Sequence, residues 1–276
     1  MTGTLYVVAT PIGNLDDFSA RARQTLENVD LIAAEDTRRT GRLLSHFSIE
    51  TPQIALHDHN EKTVAKRIIE ALNNGDRVAL VSDAGTPLIS DPGYALVKLA
   101  HGDNIPVVAI AGPSAVMAAL SVAGLPTDRF CFEGFLPAKS KARRQALAAL
   151  AHEARTMVFF EAVHRVRDTL ADMVDGFGPQ RMGFLGRELT KLHEQSVRAP
   201  LADLLTQFDE GDIKGKGEFV LCVIGNPDSP SSSLEVDTLL AALVGRLPPK
   251  EAAKVAAELT GESRNALYQR LLDIKS

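Results

Sequence analysis

Residues 78–97 read VALVSDAGTPLISDPGYALV, two pieces of protein core separated by twelve residues that fit neither a helix nor a strand. Val78 to Val81 has the composition of a short buried strand, and Tyr94 to Leu99 that of the first turns of an apolar helix. The connection between them, Ser82 to Gly93, holds two Pro, two Gly, two Asp and two Ser. These residues fix φ, permit positive φ, or bond their own backbone. Connections in α/β units usually need about 2–6 residues, so a loop of this length is expected to serve function. Leu88, Ile89 and the prolines argue that it is ordered.

Working outward, the same strand–helix alternation recurs. LYVVAT, DLIAAE, TPQIAL, RVALVS and IPVVAIAG are short β-branched runs, with helical patterns FSARARQTLENV, TVAKRIIEALNN and YALVKLAHG between them. Such alternation implies crossover connections and a mostly parallel sheet covered on both faces. Residues 1–120 are therefore read as an N-terminal α/β domain. From 121 to 226 the strand-like runs DRFCFEGF, TMVFFEAV, RMGFLGREL, EQSVRAPL and EFVLCVIG are joined by helices at 141–151 and 165–174. Some follow one another without a helix between, which predicts hairpins and a mixed sheet in a second α/β domain. After PDSPSSS (227–233), residues 234–276 carry no strand signal. Two amphipathic helices there break at Thr260 and Gly261, with Glu262 or Ser263 placed to start the second, a spacing that fits a helix-turn-helix. A plain helical hairpin is the competing reading, because acids and bases nearly balance.

Composition narrows the field. The 276 residues are 45% hydrophobic and 24% charged, with a net charge of −5, so a nucleic-acid enzyme would have to concentrate its cations locally. Cys131 and Cys222 lie in apolar runs and read as small core hydrophobes, with neither disulfide nor metal-ligand spacing. Met1 leads directly into a strand and no apolar run approaches a membrane span, so neither a signal peptide nor a membrane anchor is expected, and the cytoplasm is the expected location.

In a parallel sheet, ligands meet the residues just after each strand. Those residues are TPIGN (10–14), EDTRRT (35–40), HDHNE (57–61), the long loop, and AGPSA (111–115): polar, Gly and Pro chemistry at all five ends. No G-x-G-x-x-G follows the first strand, and no G-x-x-x-x-G-K-[ST] occurs, which disfavours a dinucleotide or nucleoside triphosphate. A Gly- and Pro-shaped loop instead offers backbone groups to a small adenosine-like ligand, leaving carboxylates for amines or a sulfonium. His57 and His59 make half a metal site at most, so no metal is expected. Basic residues gather in three places: Arg38, Arg39 and Arg42; Lys139, Lys141, Arg143 and Arg144; and Arg165 with Arg167. All but Arg167 are the candidate RNA-binding groups, against the alternative of a solvated helix face.

The strings TPIGNLDD, AAEDTRRTGRLL, HDHNE, VSDAGTPLISDPG, AGPSA, GFLPAKSKARR, GRELTKLHEQ and KGEFVLCVIG, in this order to Gly225, closely resemble the tetrapyrrole methylase (class III) superfamily. Within it they resemble a bacterial family that methylates small-subunit ribosomal RNA. The resemblance implies two α/β domains, S-adenosylmethionine held in the cleft between them, a homodimer, and 2′-O-methylation of a cytidine in 16S rRNA within the small ribosomal subunit. It implies that Ser82, Asp83, Ala84, Gly85, Thr86, Pro87 and Ile89 wrap the methyl donor, with Pro11, Ser114, Ala115, Val163, Gly217 and Glu218 as the remaining walls. One departure stands out: Ala162-Val163 replaces the family's Ser-Pro before His-Arg. Glu35 or Asp36 is the candidate that orients or deprotonates the ribose hydroxyl, against the alternative that both cap the helix beginning near Thr37. Two other functions compete: methylation of a tetrapyrrole-like small molecule, and nucleic-acid binding through the C-terminal helices.

Overall fold

A computed structural model describes residues 2–226, 236–260 and 262–275; the PDSPSSS linker, Gly261 and the Lys275 side chain lie outside the described residues. The chain divides into two compact units, Met1–Ala149 with Thr156–Ile224, and Leu150–Arg155 with Gly225–Ser276.

Both sheets belong to the first unit. β1 Thr4–Val8, β2 Leu31–Ala34, β3 Gln53–Ala55, β4 Arg77–Val81 and β5 Val107–Ile110 run parallel in the order β3-β2-β4-β1-β5. The intervening helices are α1 Ala20–Asn28, α2 Thr37–His46, α3 Glu61–Asn73 and α4 Tyr94–Gly102, with α5 Ala115–Ala123 after β5. Period-two alternation buries both faces. Leu5, Val78 and Leu80 pack with Ile68, Leu72 and Leu96 on one side, while Val8, Ala79 and Val81 pack with Leu26 and Leu44 on the other. Full burial of each large apolar side chain is worth roughly 1.5–3 kcal/mol, which fixes the strand ends that carry the loops. The connection leaving β1 runs toward β2, and the one leaving β4 runs to β5 on the other side of β1. Diverging connections of this kind open a crevice at the carboxyl edge of the sheet.

The second sheet is mixed, as the hairpin pattern predicts. β6 Phe130–Phe135, β7 Thr156–Ala162, β8 Met182–Arg187, β9 Gln195–Pro200 and β10 Glu218–Val223 lie in the order β6-β7-β10-β8-β9. Only β6 and β7 pair in parallel. The ends of β7 and β8 and the start of antiparallel β10 therefore meet at one edge. α6 Ser140–Leu150 and α7 Val166–Phe177 accompany this sheet, as does α8 Leu201–Glu210, which the strand reading of EQSVRAPL overlooked. Pro200 ends the strand and stands at the cap of α8, a place where its missing N–H costs nothing. α5 packs Val116, Ala119, Leu120 and Ala123 against Val158, Phe184, Val220 and Cys222. Cys222 is fully buried, which pushes its thiol up to about 12; Cys131 is only partly buried.

In the second unit, α9 Val236–Leu243, α10 Pro249–Thr260 and α11 Arg264–Lys275 share a core of Leu240, Ala252, Ala256, Leu267 and Leu271. α10 ends where expected, and the Ser263 carbonyl accepts from Leu267 N at 3.0 Å to open α11.

Candidate active site

The loop after β4 is fastened to the loop after β1. Thr10 and Gly85 exchange both backbone hydrogen bonds, at 2.9 and 3.0 Å, and Thr86 Oγ1 donates to the Pro113 carbonyl at 3.1 Å. Gly85 has φ +83°, and a Cβ there would lie 3.3 Å from Ile12 Cγ2. Only glycine makes this turn without strain. Leu88 and Ser90 hold φ of 73° and 69°, a conformation that costs non-glycine residues about 1–3 kcal/mol each and gathers at functional sites. The far end is pinned by Glu61, whose Oε1 accepts from Gly93 N at 2.9 Å and Ala95 N at 2.8 Å. The glutamate of HDHNE thus caps α4. The rings of its two histidines sit 6.0 Å apart.

This loop forms one wall of a cavity of about 410 Å³. From the first sheet come Ile12 after β1, Glu35 and Arg39 after β2, Asp83 to Thr86 and Ile89 to Asp91 after β4, and Ser114 and Ala115 at the start of α5. From the second come Phe135, Phe160 to Ala162, Leu189 and Gly217 to Val220. Of the residues expected to hold a donor, Asp83, Ala84, Gly85, Thr86, Ile89, Ser114, Ala115, Gly217 and Glu218 line this cavity. Pro11 and Ser82 line an adjoining one of about 330 Å³, while Pro87 and Val163 line neither. Their chain neighbours Ile12 and Ala162 do, and Val163 begins the turn that leaves β7.

Charge in the cavity is unbalanced. Asp83 Oδ1 accepts from Asp36 N at 3.0 Å, its other oxygen meets Arg39 Nη1 at 3.2 Å, and Asp83 N donates to Glu35 Oε2 at 3.2 Å. Burial raises the Glu35 pKa, and the charges of Asp83 and Asp58 add to the rise. Asp91 is pushed up to about 6, first by burial and then by Glu35, Asp83 and Asp58, against a hydrogen bond from Ser82. Sequence reasoning passed over Asp91, because its chain neighbours look like those of any loop aspartate. Its burial is a tertiary property.

Across the cleft, Glu188 and Lys191 set the β8 end. Burial opposes the Glu188 charge, yet Lys191 Nζ at 2.9 Å and Glu218 N at 2.9 Å hold its pKa below the ordinary value. A side chain on Gly217 would strike the Glu188 carboxyl, and one on Gly13 would strike Lys191, so the glycines of TPIGN and KGEF leave room for this pair. GRELTKLHEQ carried that signal, although no role could be assigned from sequence.

Three expectations are corrected by the geometry. Asp36 does not line the cavity: it caps α2 through Arg38 N at 2.8 Å and grips the Arg38 side chain at 2.8 Å, which holds its pKa well below the carboxylate range. Arg143 is 3% exposed and paired with buried Asp172 at 2.6 Å, so it is not a surface cation. Arg165 is turned inward, donating to the Leu136 carbonyl at 2.6 Å and pairing with fully buried Glu161 at 2.7 Å. Uncompensated buried charge is costly, and these arginines supply the compensation. Arg38, Arg39, Arg42, Lys139, Lys141 and Arg144 are exposed.

Residues 4–205 match the tetrapyrrole (corrin/porphyrin) methylases, and residues 230–275 match the RsmI C-terminal HTH domain. The chain is 54% identical to ribosomal RNA small subunit methyltransferase I of Xylella fastidiosa, over 96% of this chain and 98% of that protein. It is 51% identical to the protein of that name from Escherichia coli O157:H7, over 98% and 95%. Two solved structures share the fold. Diphthine synthase is 16% identical with a TM-score of 0.61, covering 81% of this chain and 90% of that one. Uroporphyrin-III C-methyltransferase from Thermus thermophilus, complexed with S-adenyl homocysteine, is 16% identical with a TM-score of 0.55, covering 80% and 97%. By these matches along nearly its whole length, the chain belongs to the tetrapyrrole (corrin/porphyrin) methylase family and, within it, to the ribosomal RNA small subunit methyltransferase I family.

Proposed function

We propose that this chain transfers the methyl group of S-adenosylmethionine to the ribose 2′-oxygen of a cytidine in 16S rRNA of the small ribosomal subunit, acting as a cytoplasmic homodimer. The observation that carries the reading is the chemistry of the 410 Å³ cleft. Its volume falls in the range of small-molecule sites. Ile12, Ile89 and Leu189 offer an apolar wall, Gly85 leaves the backbone bare, and the carboxylates of Glu35, Asp83 and Asp91 line the cleft with Arg39, which pairs with Asp83. An excess of carboxylate suits a ligand bearing a sulfonium and an ammonium.

When bound, S-adenosylmethionine supplies a methyl group on positively charged sulfur. Asp83 to Thr86, Ile89, Ser114, Ala115, Gly217 and Glu218 would hold it, with Ser82 and Pro87 shaping the loop and Pro11 and Val163 backing the residues in contact. Most of the acceleration comes from holding the hydroxyl in line, for which effective molarities are large. Glu35, its pKa raised toward the working range, takes the proton from the ribose 2′-oxygen, with Asp91 in the same electrostatic cluster. A positioned base is worth about 10²–10⁴-fold. Asp36 keeps its place at the helix cap. Support for the RNA substrate comes from the names of the full-length relatives and from the exposed cations at Arg38, Arg39, Arg42, Lys139, Lys141 and Arg144. The homodimer rests on the family resemblance, and the cytoplasm accords with the ribosomal RNA named for the relatives; among the described residues no helix is long and apolar enough to cross a membrane.

Incubation with methyl-labelled donor and small subunits, naked rRNA or a precorrin tests the reading. Label is expected in the rRNA of the subunit, in an alkali-resistant dinucleotide beginning with cytidine, because a methylated 2′-oxygen cannot attack the neighbouring phosphodiester. Label on a base, or on the precorrin alone, would overturn it.

A further inference from the structure

Beside the cleft lies the second cavity, of about 330 Å³, and Arg39 and Asp83 line both. The wall between them is a short backbone ladder: Thr10 faces the second cavity, Gly85 faces the first, and the two residues exchange hydrogen bonds. The seam is fixed by Asp83, held between Asp36 N and Arg39.

The second cavity combines two chemistries. Pro11, Leu15 and Leu43 are its apolar contribution, and Arg39, Arg42 and His46 its basic side chains. Arg39, Arg42 and His46 stand at i, i+3 and i+7 of α2, so they share one stripe of the helix. Arg38 points elsewhere and is bound to Asp36. Arg39 already has Asp83, whereas Arg42 and His46 have no carboxylate partner among the described residues, and both are exposed. Asp83, already paired with Arg39, is the carboxylate lining this cavity. An arginine and a hydrogen-bonding imidazole, both without a carboxylate partner, opposite an apolar wall, in a space at the small end of the ligand range, fit one ribose phosphate with its base.

We propose that this cavity is the acceptor subsite, taking one nucleotide of single-stranded RNA with its phosphate at Arg42 and His46 and its ribose at the Asp83–Arg39 seam. The assignment deepens the methyl-transfer reading and rests on it for the direction in which the ribose points. Two substrates that react must occupy compartments open to one another, and the seam is where these two meet. Phosphate contact at α2 fixes the register of the strand and carries no base information, so this subsite positions the target without selecting it.

The test is the double substitution Arg42→Glu with His46→Ala, set beside Arg67→Glu, at an exposed position of α3, as a control for net charge. Donor affinity by calorimetry is expected to stay at the wild-type value. Acceptor KM on small subunits is expected to rise about tenfold, and the log–log salt dependence to become shallower by about one. Arg67→Glu is expected to move neither. Binding of a labelled single-stranded oligoribonucleotide, read by anisotropy, decides the matter without turnover. Weakening in the double variant alone supports the subsite even if the wild type methylates no ribosomal ribose, a result that would sink the wider reading by itself. Wild-type acceptor KM, salt slope and oligonucleotide affinity in the double variant would overturn the subsite. Should the double variant melt early, Arg42→Gln is expected to shift the same quantities in the same direction, and no shift in that variant also overturns it.

Discussion

At the scale of single residues, Asp91 shows how the cleft departs from what stability alone would choose. Its folded pKa, about 6, lies above the ordinary carboxylate value, because burial and the charges of Glu35, Asp83 and Asp58 oppose its ionisation. Between the unfolded value near pH 4 and the folded value near pH 6, the native state holds a proton that the unfolded chain has released. Stability therefore falls as pH rises through that window, and above it the ionised carboxylate remains a fixed cost. Discounted for partial exposure, that cost is about 1–2 kcal/mol. Asp91→Asn should accordingly raise the melting temperature at pH 7.5 by several degrees, at roughly 2–4 °C per kcal/mol for a chain of this size, and the gain should disappear by pH 4. A variant no more stable than wild type at pH 7.5 would refute the account of strain. That the loop holding Asp91 is an ordered part of the cleft was legible from its length and its Gly and Pro content, and Gly85 from its place in it. Asp91 was not, because desolvation comes from walls contributed by distant strands.

At the scale of elements, α6 explains why a basic run misleads. SKARRQALAAL carries cations in succession, and sequence alone assigns them all to a solvated or RNA-facing surface. Yet Arg143 and Leu147 are four apart on one stripe, and both are buried. The spacing held the signal: an arginine in register with a core leucine faces inward. Asp172 on α7 meets it at 2.6 Å, while Arg144, one position on, is 59% exposed and stands 3.9 Å from the same carboxyl group. Removing one partner of a buried pair costs about 3–5 kcal/mol, whereas a surface pair is worth about 0–1 kcal/mol. Arg143→Ala should therefore lower the denaturation midpoint sharply, and Arg144→Ala should hardly move it. Charge reversal at Lys139, Lys141 and Arg144 together should leave the midpoint near wild type while weakening binding to small subunits and flattening its salt dependence. An Arg143→Ala protein as stable as wild type would return that residue to the surface. Strands were the most legible elements because β-branched runs between Gly and Pro turns leave few alternatives, and α8 was missed because Pro200 both ends β9 and stands at its cap.

At the scale of the whole molecule, the question is what the C-terminal helices add. Every residue lining the cleft, from Ile12 to Val220, belongs to the first unit, and so do both sheets. The helices of the second unit bury Leu240, Ala252, Ala253, Ala256, Leu267 and Leu271 among themselves, which gives them a core of their own. A segment with its own core and no part in lining the cleft is expected to serve the acceptor or the assembly. Its charge is nearly balanced and Arg270 is engaged with Glu262 at 3.2 Å, which argues against a duplex-DNA reader and leaves modest phosphate contact to residues such as Arg264. Truncation after Asn226 falls inside the second unit but removes its three helices while retaining the bonds from Asn226 N to the Glu153 carbonyl at 2.6 Å and from its side chain to the Ala151 carbonyl at 3.3 Å. The shortened protein should bind S-adenosylmethionine with wild-type affinity in calorimetry. Methylation of small subunits should fall, through a higher KM for the subunit and with little change in KM for the donor. Sedimentation of the full and shortened proteins separates the two roles open to the segment: loss of the proposed dimer on truncation would assign it to assembly, and an unchanged oligomeric state with weakened subunit binding would assign it to the ribosomal surface. Full activity after truncation would show that neither role exists, and loss of donor binding would show that the cleft depends on residues beyond those that line it.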